Sequence, residues 1–160
     1  MTILIGFSGS QVDTALTNGR TFTPGNRASD YSGKQYVYVK ASSAIAQYDV
    51  CTIDPATYIT TVAPLGTAND ARGNLVGVAP VAIASGSYGW LQIYGACTMN
   101  VLASCAANVR LNTTGTAGSP DDDGTASSMV IDGLYLTTAR GSTAGSAPGV
   151  LNYPAVGATL

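Results

Sequence analysis

Hydrophobic and polar residues along this chain alternate in twos. The longest clean run is Tyr88-Gly89-Trp90-Leu91-Gln92-Ile93-Tyr94, with Tyr88, Trp90, Gln92 and Tyr94 on one side and Gly89, Leu91 and Ile93 on the other. Successive side chains of a strand point to opposite faces. The run therefore predicts a strand with a small aliphatic face and a broad aromatic one, both able to be buried. Ser85-Gly86-Ser87 before it and Gly95 after it bound it as a hairpin element. Residues 35–41 repeat the pattern, with Tyr36, Tyr38 and Lys40 facing one way and Val37 and Val39 the other.

Shorter alternations predict further strands. Residues 49–53 and 58–62 flank a turn at Asp54-Pro55, and residues 75–79 and 81–84 lie on either side of Pro80, which calls for an edge, a bulge or a bend. Residues 97–102, 109–112 and 129–136 complete the set, the last with Asp132-Gly133 as a bulge or turn, while Ala103 to Ala107 could form one helical turn. About eight short strands with turns every 8–12 residues predict an all-β protein, a small barrel or sandwich.

The two ends look different from this middle. In residues 1–33, Ile3-Leu4-Ile5 is a short apolar anchor, and Gly6, Gly9, Asn18-Gly19, Pro24-Gly25 and Ser32-Gly33 punctuate a polar run. Turn residues at that density leave little room for regular elements. The segment reads as an extended N-terminal arm, either a disordered terminus or one that orders on a partner through Ile3, Leu4, Ile5 and Phe22. From Thr137 the chain is again rich in Gly, Ser and Pro, which predicts a loop-rich C-terminal tail. The expected division is thus an arm over 1–33 and a single β-rich domain over 34–160.

Composition sharpens the picture. Charged residues are only 10% of the 160, all nine acids are Asp, and there is no His. A surface so poor in charge suits a protein covered by neighbours better than a free monomer. The net charge of −2 argues against nucleic acid, which needs clustered Lys and Arg. Residues 1–40 nevertheless carry an excess of cations, including Arg20 and Arg27, so this segment could dock on an acidic surface. No apolar run is long enough to span a membrane as a helix, and no signal peptide is visible, so a membrane partner is not expected.

Catalytic chemistry is scarce. Without His or Glu, the usual general acid–base residues and common triads are missing, and no phosphate-binding or nucleophile-elbow motif occurs. Cys51, Cys97 and Cys105 show no CxxC spacing and are expected to be buried free thiols in a reducing cytoplasm. Asp121-Asp122-Asp123-Gly124 could offer oxygen to calcium, but it lacks the alternating spacing and terminal Glu of an EF-hand. It reads as a solvated turn. No catalytic residue, metal or cofactor is assigned. The aromatic row Tyr36, Tyr38, Tyr88, Trp90 and Tyr94 could stack a sugar, but core or subunit-interface packing suits it better. The candidate interface residues are therefore Ile3, Leu4, Ile5, Arg20, Phe22, Arg27, Tyr36, Tyr38, Tyr88, Trp90 and Tyr94.

Over residues 41–160 the succession AIAQYDVCTID, GNLVGVAPVAIASGSYGWLQIYGACTMNVLASCAANVRLNTTGTAGSPDDDG, MVIDGLYLTTA and VLNYPAVGATL resembles small head decoration (cement) proteins of tailed bacteriophages. The likeness rests on an Ala-rich turn, a GVA strand, an SGSYGW-like hairpin and a late LNTTGTAG loop. It implies a β-rich homo-oligomer, often a trimer, on the outer surface of the virion head, made in the host bacterial cytoplasm, with the major capsid protein as partner. Such proteins carry no catalytic residues to transfer. The alternative is a phage tail or fibre module that binds a host-surface glycan through the aromatic face. An enzyme using Asp or Cys is a third class.

Overall fold

The computed structural model describes residues 9–13, 21–62, 72–124 and 126–160, and contains no helix among them. The all-β expectation holds. The strands are β1 (Val12–Asp13), β2 (Arg27–Ser29), β3 (Gln35–Ala41), β4 (Val50–Ile53), β5 (Ile59–Val62), β6 (Leu75–Val78), β7 (Tyr88–Val101), β8 (Leu111–Asn112), β9 (Met129–Leu136) and β10 (Gly145–Thr159). They form one mixed sheet in the order β1-β7-β3-β5-β4-β6-β10-β9-β8, with β2 added beside β3. Among the described strands, β3 and β5 make the one parallel pair.

Because β7 pairs with β6 as well as β3, the pairings β3–β5–β4–β6–β7 close into a ring. Alternation then sends Val37, Val39, Cys51, Ile53, Leu91 and Ile93 into a barrel core, where Ile45, Ala79 and Ile83 join them. The outward residues of β4 and β6, Val50, Val76 and Val78, are not left to solvent. They belong to a second core with Met99, Val101, Leu111, Ile131, Leu134, Leu136, Leu151 and Val156. β6 is thus a wall shared by two cores.

β7 connects everything. Its first half pairs with β3 and its second half with β10, and Tyr94 is the crossover, paired with Gln35 on one side and Asn152 on the other. Gly95 takes φ 94°, in the left-handed region open to glycine without a Cβ penalty. The alternation on either side of Gly95 predicts two strands. They are one strand of 14 residues, because hydrogen bonding passes from β3 to β10 across the bend.

The remaining differences from expectation are local. Residues 81–84 do not form a strand; Ile83 makes only a bridge to Ile45 after the chain turns at Pro80. Ala103 to Ala107 form no helical turn. Residues 145–159 are not loop but the longest of the described strands, and β10 pairs with β6, β7 and β9. Asp132-Gly133 is a bulge site, as expected. The register with β10 shifts there, and Gly133 has φ 79° with Asn152 O only 2.6 Å from where a Cβ would stand.

The boundary expected at 33/34 does not mark a break in packing. β1 pairs with Gly89 and Tyr88, β2 pairs with Gln35 to Val37, and Ala28 is buried. The described parts of residues 1–33 are built into the sheet rather than set apart from it. Strands of two and three residues carry too few positions to display an alternation.

Candidate functional site

The outer face of β3 and β7 carries the aromatic row. Tyr38 pairs directly with Trp90, which places both side chains on the same face of the ladder. Tyr38 and Trp90 are fully buried, with ring centroids 5.1 Å apart. Phe22 closes the cluster from above, edge-on to Trp90 at 5.2 Å and to Tyr38 at 5.4 Å. Tyr88 stacks on Tyr38 at 5.9 Å, and Lys40 Nζ sits 5.9 Å from the Tyr88 ring centre. The expected subunit contact through Tyr36, Tyr38 and Trp90 is therefore corrected. The chain covers these three residues itself, using Phe22 and Ala28 from the segment that was expected to reach a partner.

Tyr36 is buried as well, and its hydroxyl donates to Asp30 Oδ2 at 3.1 Å. Burial, together with the charge and hydrogen bond of Asp30, raises the Tyr36 phenol far above its ordinary 10.0. Of the other interface candidates, Arg27 and Tyr94 are exposed, while Ile3, Leu4, Ile5 and Arg20 lie outside the described residues. Tyr94 stacks on Tyr153 at 5.0 Å, across the β7–β10 crossover. Tyr153 holds φ 48° within the β10 bulge, a rare conformation for a bulky residue. Nothing in the flat alternation around Asn152-Tyr153-Pro154 signals that this ring would join Tyr94.

The acidic turn is only partly solvated, which corrects the expectation for its first two residues. Asp121 is buried and forms a bridge with Asn112, and Asp122 is half-buried. Cys105 Sγ and the two carboxylates lie within 4.8 Å of one another. Asp121 Oδ1 accepts the Asp122 N–H at 3.0 Å, and Asp122 Oδ1 accepts the Ala106 N–H at 3.1 Å. Burial raises the Asp121 pKa, helped by Asp122 and Asp123 nearby. Burial and the charge of Asp122 push the Cys105 thiol up to about 12. Through the Asp122 carboxylate on Ala106 N–H and the Asp121–Asn112 bridge, the cluster ties the acidic turn to the neighbouring loop and strand.

The other thiols behave alike. Burial raises Cys51 well above its usual value, with Asp49 adding to the effect, and burial pushes Cys97 up to about 12. All three cysteines are free, Cys51 and Cys105 buried and Cys97 only partly so. Near neutral pH they are thiols rather than the nucleophilic thiolate.

A second polar feature was not singled out from the sequence. Gln92, the one polar member of the aromatic row, is buried next to the Gly95 bend. Its Nε2 donates to the carbonyl oxygens of Tyr94 at 3.1 Å and Ala96 at 2.9 Å. It lines a cleft of about 330 Å³ together with Lys34, Tyr48, Pro80 and Cys97. Its signal in the sequence was plain enough: a Gln where Tyr, Trp and Tyr fill the other positions.

No family model matches the chain, and no curated protein matches it.

Proposed function

We propose that this chain is a structural virion protein, a decoration or cement protein that binds the assembled head of a tailed bacteriophage and stabilises it. The major capsid protein is its partner on the outer surface, and a closed homotrimer is its working form. The observation that supports this reading is where the aromatic residues end up. Tyr31, Tyr94, Tyr135 and Tyr153 are 98, 37, 39 and 45% exposed, on a protein with only sixteen charged side chains. Tyrosine is enriched and acidic or lysine side chains are depleted where protein surfaces meet. Symmetric closure limits runaway association of such a surface.

The test is to add purified protein to undecorated heads, wash with salt and image them. Bound trimers on the head lattice support the reading. Protein found only at the tail, or washed away completely, overturns it. Replacing Tyr94 and Tyr153 with Ala should lower occupancy while leaving the melting temperature nearly unchanged. The same stacked and exposed pair favours one second reading, a tail or fibre module binding a host glycan. Retention on a glycan array with no head binding would select it.

A further inference from the structure

The bend in β7 leaves a notch at the seam between the two coverings of the barrel. On one side the aromatic cluster covers β3 and β7; on the other the second core covers β4 and β6. Gln92 pairs with Tyr36 on one neighbour and Val78 on the other, so its side chain sits where those coverings meet. The carboxamide is fixed, since Nε2 spends its hydrogens on the carbonyls of Tyr94 and Ala96. That geometry holds Oε1 on the opposite side. Gln92 is only 5% exposed, yet no described residue donates to Oε1, and the atom is not sealed from the cleft that Gln92 lines.

The surrounding groups decide what could fill this notch. Lys34 supplies a cation at its wall. Tyr48 also lines it, held at φ 69°, a conformation that costs a bulky residue energy. Cys97 is a neutral thiol and does not repel an anion. Two acids neighbour the cleft in sequence, and neither lines it: Asp30 has its oxygens occupied by Ser32, Lys34 N–H and Tyr36, and Asp49, next to Tyr48, accepts from Ala46 N–H and Asn100 Nδ2. A bare anion would satisfy Lys34 but meet the partial negative charge of Oε1. The ligand must therefore present an anion and a donor hydrogen together.

We propose that the notch binds an α-amido carboxylate, with the carboxylate on Lys34 Nζ and the adjacent N–H donated to Gln92 Oε1. A free N-acylated amino acid and the C-terminal residue of a peptide both carry this group. The cleft volume is at the small end of ligand sites, which suits a group of one residue. The proposal is independent of the virion reading and survives its failure.

The experiment is an NMR titration of the full chain with N-acetylglycine, and with N-acetylglycine methylamide as the control lacking a carboxylate. N-acetylglycine should give saturable shifts at Lys34, Gln92 and Cys97 with a millimolar Kd, and the methylamide none. Lys34→Ala, at a half-exposed position, should keep the fold and weaken binding at least about tenfold, as loss of a charged hydrogen bond does. This variant decides the matter, because Gln92→Ala also strips two strand carbonyls of their donor. Tetra-alanine with a free or an amidated C-terminus separates the sources. Tighter binding of the free form than of N-acetylglycine assigns the notch to chain ends, and equal binding assigns it to small acids. Equal shifts with the methylamide, unchanged affinity in Lys34→Ala, or saturation by an acidic sugar where N-acetylglycine does nothing would each overturn the proposal.

Discussion

The two ends of this chain look alike as sequence and behave differently as structure. Both are rich in Gly, Ser and turn residues. The C-terminal end becomes β10, fifteen residues long, paired on both edges and buried through Ala147, Leu151 and Val156. The described N-terminal part becomes β1 and β2, two and three residues long, paired at short registers with β7 and β3, with Val12 against the barrel core and Ala28 and Phe22 in the aromatic cluster. The difference lies in what each end is offered. β10 runs between β7 and β9, which supply hydrogen-bonding edges along most of its length. Backbone groups on that scale outweigh the weak strand preference of Gly and Ser, which is a context effect rather than an intrinsic one.

If edges decide the outcome, the largest loss should come from the C-terminal end. Leu151 is fully buried in the second core and paired with both Gly95 and Leu134. Leu151→Ala should cost about 2–5 kcal/mol, read as a lower denaturant midpoint with an unchanged slope. A fall below about 1 kcal/mol would mean that β10 is a late addition rather than part of the core.

A smaller effect is expected at the other end. Phe22 is partly buried and touches Tyr38 and Trp90 by its edge. Phe22→Ala should cost roughly 1–2 kcal/mol, less than a fully buried ring, and should shift Trp90 fluorescence to the red as water reaches the indole. An unshifted spectrum would show that the cover over Trp90 does not depend on Phe22. The same measurement separates a structural strap from the docking arm expected from the sequence, because an arm meant for a partner leaves Trp90 unchanged when mutated.

The parts that could be read from sequence share one property: a full alternation within the strand itself. β3 and β9 have the predicted bounds, 35–41 and 129–136, and the two faces of 88–94 separate as expected into Leu91 and Ile93 inside and Tyr88 and Trp90 outside. What covers those faces could not be read. Trp90 on a broad aromatic face looks the same whether a neighbouring subunit or the chain's own Phe22 lies over it. Tyr94 and Tyr153, and Gln92 with Lys34, are pairs assembled by register, and register between distant strands leaves no local mark. The acidic turn misled for a related reason: the Asp triplet announces charge but not that Asp121 would bridge Asn112.

The smallest effect expected is a titration that loosens one end and spares the other. The turn joining β2 to β3 is clasped by Asp30, which accepts the Ser32 N–H at 2.9 Å, the Ser32 hydroxyl at 2.8 Å, the Lys34 N–H at 3.0 Å and the Tyr36 hydroxyl at 3.1 Å. Burial opposes the charged carboxylate, but these donors outweigh it and hold the pKa below the ordinary 3.8. A carboxylate depressed in this way contributes stability above 3.8 and loses it as pH falls through the lower folded value. Tyr36 has the opposite sign. Its phenol is raised above 10.0, so its contribution is complete below that pH and is lost as pH climbs past it towards the folded value. The clasp should therefore be intact in between and shed at both extremes. Amide protection at β2, relative to β10, should drop first on both limbs. Asp30→Asn should flatten the acid limb and Tyr36→Phe the alkaline one. If β2 and β10 lose protection together in the native protein, the two ends open as one unit and the contrast between them is only one of length.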